Sequence, residues 1–343
     1  MPERYDVYGV GNAIVDTEVQ IEETMLTTHS LERGVMTLVA IEDQEALIEG
    51  LIGHELTYAA GGSAANTMVG VARFGGRAFY AGKVGDDISG ALYRASMAEA
   101  GVDFDVEAAQ GPTGSCLVLV TPDGERTMQT HLGASSTLGV ADIHGELIAQ
   151  SRMLYVEGYL WASDSTREAA EQAIVRAVAA RVPVALSLSD PAMVLHFGDA
   201  FREIVRSSVD VLFCNEHEAA IYAGAAHGGS APQTQRDSSL QALGADCDTV
   251  FMTCGADGSA VYNHGLVRHV EGHVVRVVDT TGAGDVYAAG ALYGLTQGLS
   301  PVDTAKLGSY AAALVVTRLG PRLARTLADD VDAIVAGARP TTE

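Results

Sequence analysis

Residues 279–290 read "DTTGAGDVYAAG". Gly282, Ala283 and Gly284 are small enough for a backbone that must come close to a ligand, and glycine reaches positive φ at little steric cost. The run that follows predicts a helix over 283–298. Its N-terminus would add partial positive charge to backbone N–H groups turned toward one point, which makes the loop an anion site. The carboxylate of Asp285 fits beside such a site if it faces the anion's partner, a hydroxyl whose proton it accepts during phosphoryl transfer. Read alone, the stretch is equally a glycine-rich turn with an acidic residue in the first helical turn, where acids are favoured.

Around this loop the chain alternates strand-like runs (5–10, 152–160, 182–188, 209–215 and 248–255) with helix-like ones (63–75 and 165–181, besides 283–298). Buried strands alternating with helices imply βαβ units and a mostly parallel sheet covered on both faces, an α/β fold. Two segments break the rhythm, 17–38 and 109–133. In the second, "SCLVLVT" and "RTMQTHL" flank an Asp-Gly pair, a strong hairpin signal. The expected organisation is a large α/β domain of residues 1–16, 39–108 and 134–335, with a small β unit of 17–38 and 109–133. Such an insertion serves as a lid or as an oligomer contact. Residues 225–240 read as a polar loop, and 338–343 as a frayed tail.

Composition narrows the function. The 343 residues carry 48% hydrophobic and 19% charged residues, enough for a substantial core. There is no apolar run long enough to span a bilayer and no secretory leader pattern, so a cytoplasmic protein is expected. Forty-four acidic against 21 basic residues give a net charge of −23, which argues against nucleic acid and anionic membranes as partners. The four cysteines form no C-x-x-C pair and read as buried free thiols.

Three further motifs carry chemistry. In "GGSAANTMVGVARFGG" (61–76), Gly61 and Gly62 allow close approach and Ser63 reads as an N-cap. Asn66 shares a helix face with Ser63 and can bind sugar hydroxyls. In "GNAIVD" (11–16), Asn12 and Asp16 follow the end of the first strand, where α/β sheets place ligands, and a carboxylate there can hold a vicinal diol. In "NEHEA" (215–219), Asn215 and Glu218 suit a hydrated Mg²⁺, or simply a helix start with an acidic first turn. "MTCGADGSAVY" (252–262) reads as strand, glycine turn and strand. Ile14 occupies the third-glycine position of a dinucleotide fingerprint, and Lys83 lacks a Walker A context. Neither G-x-S-x-G nor H-E-x-x-H occurs.

The order of these motifs resembles the ribokinase-like, pfkB-type family of sugar and nucleoside kinases over residues 5–325. "HSLERGVMTL", "AAGGSAANT", "PTGSC", "YVEGYL", "LSLSDP" and "LFCNEHEA" are similar to the adenosine kinases within it. The resemblance implies a ribokinase-like three-layer α/β/α domain with a mostly parallel central sheet and a small β lid. It also implies ATP and Mg²⁺ as cofactors, and adenosine, another nucleoside (inosine or guanosine) or a free sugar as acceptor. By the same resemblance Asp285 is the base and Gly282, Ala283 and Gly284 form the anion hole. Asp16 holds the ribose hydroxyls with Asn12, Gly61, Gly62, Ser63 and Asn66 about it. Asn215 and Glu218 organise Mg²⁺, Thr253, Gly255 and Gly258 line the ATP side, and Arg126 on the lid reaches the transferred phosphate. The base would lie among Ile14, Met36, Met128, Leu132, Tyr159 and Leu160. The resemblance extends to K⁺ near the loop, with Asp279 and Thr281 as ligands, and to either a monomer or a lid-mediated homodimer.

Overall fold

The computed structural model describes residues 4–123, 125–225 and 232–340. Gly124 of the expected hairpin turn, 226–231 of the expected loop and 341–343 of the expected tail lie outside the described residues. Among the described residues thirteen strands form two sheets. They are β1 (Tyr5–Val10), β2 (Ile14–Gln20), β3 (Met36–Leu38), β4 (Thr57–Gly61), β5 (Ala78–Ala81), β6 (Gly114–Val120) and β7 (Arg126–His131). β8 (Ser151–Glu157), β9 (Val184–Ser187), β10 (Val211–Asn215), β11 (Thr249–Thr253), β12 (Ser259–Asn263) and β13 (Leu266–Val270) follow.

The large sheet runs β13-β12-β11-β10-β9-β8-β1-β5. From β11 to β5 every pairing is parallel, and β12 and β13 add an antiparallel edge. Side chains alternate across it as the pleat demands. Val7 belongs to one core cluster and Tyr8 and Val10 to the other; Phe213 and Leu212 divide the same way. The helices Asp164–Ala180 and Pro191–Ser208 cover one face, and Ser63–Arg73 and Ala283–Thr296 the other. The layers are therefore α/β/α, with strands apolar on both sides because neither face meets water.

The small sheet runs β3-β7-β6-β2-β4. The 126–131 strand pairs antiparallel with 114–120, as the Asp-Gly signal predicts. The sheet also takes β4, and the helix Ile41–Gly50 packs on it through Gln44, whose Nε2 donates to the carbonyls of Ser115 and Gln129. Residues 39–61 thus stand with the small sheet rather than with the large domain to which 39–108 was assigned. β4 is five residues long and Ala-rich, so its pairing with β2 rather than its own composition makes it a strand. The expected loop 225–240 is likewise corrected, because 233–244 form a helix that buries Leu240 and Leu243 against the core.

Candidate active site

β1 ends at Gly11-Asn12-Ala13, which carries the chain from one sheet into the other. Gly11 is required there, since a Cβ would meet the Glu157 carboxylate at 2.6 Å. Glu157, at the end of β8, is buried. Its Oε1 accepts from the Asn12 backbone N (2.7 Å) and Nδ2 (3.0 Å), and its Oε2 from the Ala64 backbone N (2.7 Å). Burial pushes this carboxyl up to about 7. The Asn12 Oδ1 accepts from Ser135 Oγ at 2.7 Å, so both ends of the Asn12 amide are held by protein.

The Ser63–Arg73 helix begins at Gly62, whose φ of +92° brings it within van der Waals range of the Asn12 carbonyl. Gly62, not Ser63, is therefore the N-cap, and the Ser63 hydroxyl is released for another partner. It donates to Asp285 Oδ1 at 2.7 Å, and Asn66 Nδ2 donates to Asp285 Oδ2 at 3.0 Å. Gly282, with φ +73°, opens the Ala283–Thr296 helix and sets Asp285 in its first turn. Burial holds the Asp285 carboxyl above the ordinary carboxylate range, opposed by those two hydrogen bonds and by the charge of Arg322. Asp16, on β2, is pushed up to about 7 by burial, with Arg126 and Arg322 pulling it down.

These groups surround a cavity of about 300 Å³ between the two sheets. Asn12, Ile14, Asp16, Met36, Gly62, Ser63, Asn66, Met128, Leu132, Tyr159, Thr281, Gly282 and Asp285 all line it. One wall, Ile14, Met36, Met128 and Leu132, is apolar, and Asp16 and Asp285 supply charge. A second cavity of about 200 Å³ shares Ser63 and Asp285 and is lined by Asn215, Glu218, Thr253 and Gly284. The carboxylate of Asp285 thus stands where two compartments meet.

Other expected residues sit elsewhere. Gly61 lies beneath Asp16. Ala283 is the first residue of its helix. Gly255 (φ +56°) stands in the turn after β11, and Gly258 (φ +93°) packs against the backbone of Val270 and Gly272. Leu160 is fully buried in the core and not at the apolar wall, which leaves Tyr159 as the aromatic residue there. Arg126 does not point into the cavity. Its Nη2 donates to Glu18 Oε2 (2.7 Å) and its Nη1 to Asp279 Oδ1 (2.6 Å), because two partly desolvated carboxylates flank it. Asp279 also accepts from the N and Oγ1 of Thr281 and from the N of Gly320. With four donors on one carboxylate, one of them a guanidinium, the side chains of Asp279 and Thr281 do not fit a monovalent cation in this arrangement.

Asn215 and Glu218 form a reciprocal capping box. Asn215 Oδ1 accepts from the backbone N of His217 and Glu218 (2.9 Å each), and Glu218 accepts from Asn215 N (3.0 Å) and Nδ2 (2.7 Å). Burial pushes the Glu218 carboxyl up to about 8. Asn215 Oδ1 spends both lone pairs on those backbone donors, whereas each Glu218 oxygen keeps one at the second cavity, which suits a hydrated Mg²⁺ held through water. Among the described residues no group of three His, Cys, Asp or Glu side chains could hold a metal ion directly.

The model of the pfkB family carbohydrate kinases matches residues 34–327. The protein belongs to the pfkB family. An adenosine kinase from Sinorhizobium meliloti shares its fold at a TM-score of 0.89 and 37% identity, over 96% of this chain and 99% of that one. A probable sugar kinase from Rhizobium etli CFN 42 does so at 0.90 and 34%, over 97% and 99%. The adenosine kinase of Schizophyllum commune is 28% identical over 93% of this chain and 96% of its own. A pfkB kinase moves a phosphoryl group to an alcohol, so the chain is a phosphotransferase. No helix among the described residues is long and apolar enough to cross a membrane.

Two side chains at this site were not among the expected residues. Glu157 lies in "YVEGYL" among apolar neighbours, and a lone charge inside a buried strand is the signal that points to it. Arg322 lies in "LGPRL" near the C-terminus; its Nε donates to Asn66 Oδ1 at 3.0 Å.

Proposed function

We propose that this pfkB kinase is an ATP-dependent nucleoside kinase that phosphorylates the 5′-hydroxyl of adenosine to give AMP and ADP. The carrying observation is the cavity itself, where Asp16 and Asp285 share one space with an apolar wall of Met36, Met128 and Leu132 and the ring of Tyr159. Asp16 accepts the vicinal ribose hydroxyls, the purine lies on the apolar wall, and the 5′-hydroxyl reaches Asp285. Similarity to the S. meliloti adenosine kinase over nearly the whole of both chains supports this reading.

Ser63 and Asn66 hold the Asp285 carboxylate, leaving lone pairs for the incoming hydroxyl. The hydroxyl proton passes to Asp285 as the 5′-oxygen bonds to the γ-phosphorus. The bond from that phosphorus to the bridging oxygen breaks, and ADP leaves with the electron pair. Gly282, Ala283 and Gly284, at a helix N-terminus, present N–H groups to the transferring phosphoryl. Glu218, oriented by Asn215, would hold Mg²⁺ through water on the ATP side, where the ion would neutralise phosphate charge.

Similarity to the probable sugar kinase from R. etli keeps a sugar acceptor as the second reading. Initial rates with adenosine, inosine, guanosine and ribose, each competing with the others, separate the two. Adenosine is expected to give the highest kcat/KM. A preference for ribose overturns the nucleoside reading, and a preference for inosine or guanosine overturns adenosine alone.

A further inference from the structure

The segment Gly320-Pro321-Arg322 touches three parts of the site within three residues. Gly320 N donates to Asp279 Oδ2 at 2.9 Å. Pro321 packs on Gly282 so closely that a Cβ there would lie 2.3 Å from the Pro321 carbonyl oxygen. The Arg322 guanidinium passes behind the cavity, with Nε on Asn66 Oδ1 (3.0 Å) and Nη1 on Ser96 Oγ (2.9 Å). We propose that Arg322 is a positioning residue for the base, fixing the Asn66 amide so that its N–H, and not its carbonyl, meets Asp285. The inference rests on the reading of Asp285 as the base.

The two ends of an amide are nearly the same size, and either fits the space beside a carboxylate. Arginine is donor-only and permanently charged, so it accepts only the orientation in which Oδ1 faces it. Nδ2 is then aimed at Asp285 Oδ2 at 3.0 Å. Without Arg322 the amide can turn its oxygen onto the carboxylate, which repels it. Four titratable groups face Asp285 from β2, from β8 and from the turn after β8: the carboxyls of Asp16 and Glu157 and the phenols of Tyr155 and Tyr159, each pushed up by the charge of Asp285. On Asp285 itself burial disfavours the charge, and the hydrogen bonds from Ser63 and Asn66 and the charge of Arg322 stand against it.

The test is Arg322→Met and Arg322→Lys, with kcat, both KM values, the kcat–pH profile and the melting temperature. Arg322→Met is expected to lower kcat at neutral pH about 10- to 100-fold with each KM within about threefold, the pattern of a group that matters in the transition state. Its acid limb should move up by about one pH unit. Arg322→Lys should return the limb toward the wild-type position, because the charge is restored, while kcat stays low, because the fork onto Asn66 and Ser96 is not.

Wild-type kcat and pH profile in Arg322→Met overturn the proposal. So does a kcat loss in both variants with no movement of the acid limb, which is the mark of a merely structural side chain. If Arg322→Met does not fold, Arg322→Lys decides: wild-type kcat overturns the proposal, and reduced kcat at an unchanged melting temperature supports it. Asp285→Asn, measured alongside, tests the reading beneath. It should lose about 10²- to 10⁴-fold in kcat with nucleoside binding retained. Near-normal turnover there removes the base, whatever Arg322 does, whereas an inactive Asp285→Asn with an indifferent Arg322→Met removes the positioning role alone.

Discussion

The Asp16 carboxylate lies over Gly61 so closely that a methyl group at that glycine would sit 2.1 Å from Oδ2. An aspartate side chain is short and cannot swing clear without leaving the cavity. Gly61→Ala is therefore expected to raise the KM for the acceptor about 10- to 100-fold, the loss of hydrogen bonds to a charged group, with a smaller effect on kcat. Steady-state kinetics at saturating ATP read this directly, and an unchanged KM separates Asp16 from hydroxyl recognition. Residues that announced themselves did so by chemistry in an unusual local setting: a carboxylate after three small residues, an Asn behind two glycines, an Asp after a strand end. Glu157 and Arg322 showed no partner in the sequence, because what matters about each is a contact across 93 and 256 residues of chain respectively. Ser63 was legible as a helix-start residue but its partner was not, since only the approach of the two helices brings Asp285 to its hydroxyl.

Among elements, the box at the start of the Glu216–Tyr222 helix joins local stability to the site. Replacing Asn215 by Ala removes the cap on two backbone N–H groups and one donor to Glu218, and should cost about 1 kcal/mol or more. Denaturant unfolding measures that cost. A Mg²⁺ titration of activity on the same variant should show a higher half-saturating concentration; an unmoved one confines Asn215 to the cap. The long elements were legible: 63–75, 165–181 and 283–298 each match the helix found to within two residues at either end. The errors fell on weak patterns. The Gln233–Gly244 helix has a polar sequence with only Leu240 and Leu243 fully buried among its apolar residues, so tertiary packing rather than periodicity selects it. β4, with three of its five residues Gly or Ala, becomes a strand because β2 lies beside it.

At the scale of the molecule, burial holds up Asp285 and three further carboxyls at the cavities, Asp16 and Glu157 to about 7 and Glu218 to about 8. Between about pH 4, where unfolded carboxyls ionise, and these values, the folded state binds more protons than the unfolded one. Stability then falls as pH rises through that window. His273, lowered by burial, works in the opposite sense near its ordinary value, but it is one group against four. The ligand-free melting temperature is expected to drop from pH 5 toward pH 8. A flat or rising curve would show that these carboxyls are ionised in the folded protein. Adenosine and Mg-ATP should flatten the fall, since ligands that favour the ionised carboxylates bind only the folded state.

The sequence by itself determined the class of fold and the glycine turn at the start of the Ala283–Thr296 helix, because alternating buried strands and helices and a glycine turn at a helix start are local patterns that survive any packing. It also carried the family, through the order of its motifs. Only the tertiary structure decided which side chains meet. It turned Arg126 from the cavity onto Glu18 and Asp279, sent Leu160 into the core, and closed Asn215 and Glu218 on each other. It also placed Arg322 behind Asn66. The physical reason is common to all four. A charged or polar group in a dry interior takes the partner that best offsets its lost hydration, and an apolar one the best-packed site. Those partners are chosen by the fold and not by neighbours in the chain. "DTTGAGDVYAAG" sets a carboxylate beside a glycine turn at a helix start; the two helices that meet at Ser63, Asn66 and Asp285 decide how that carboxylate is held.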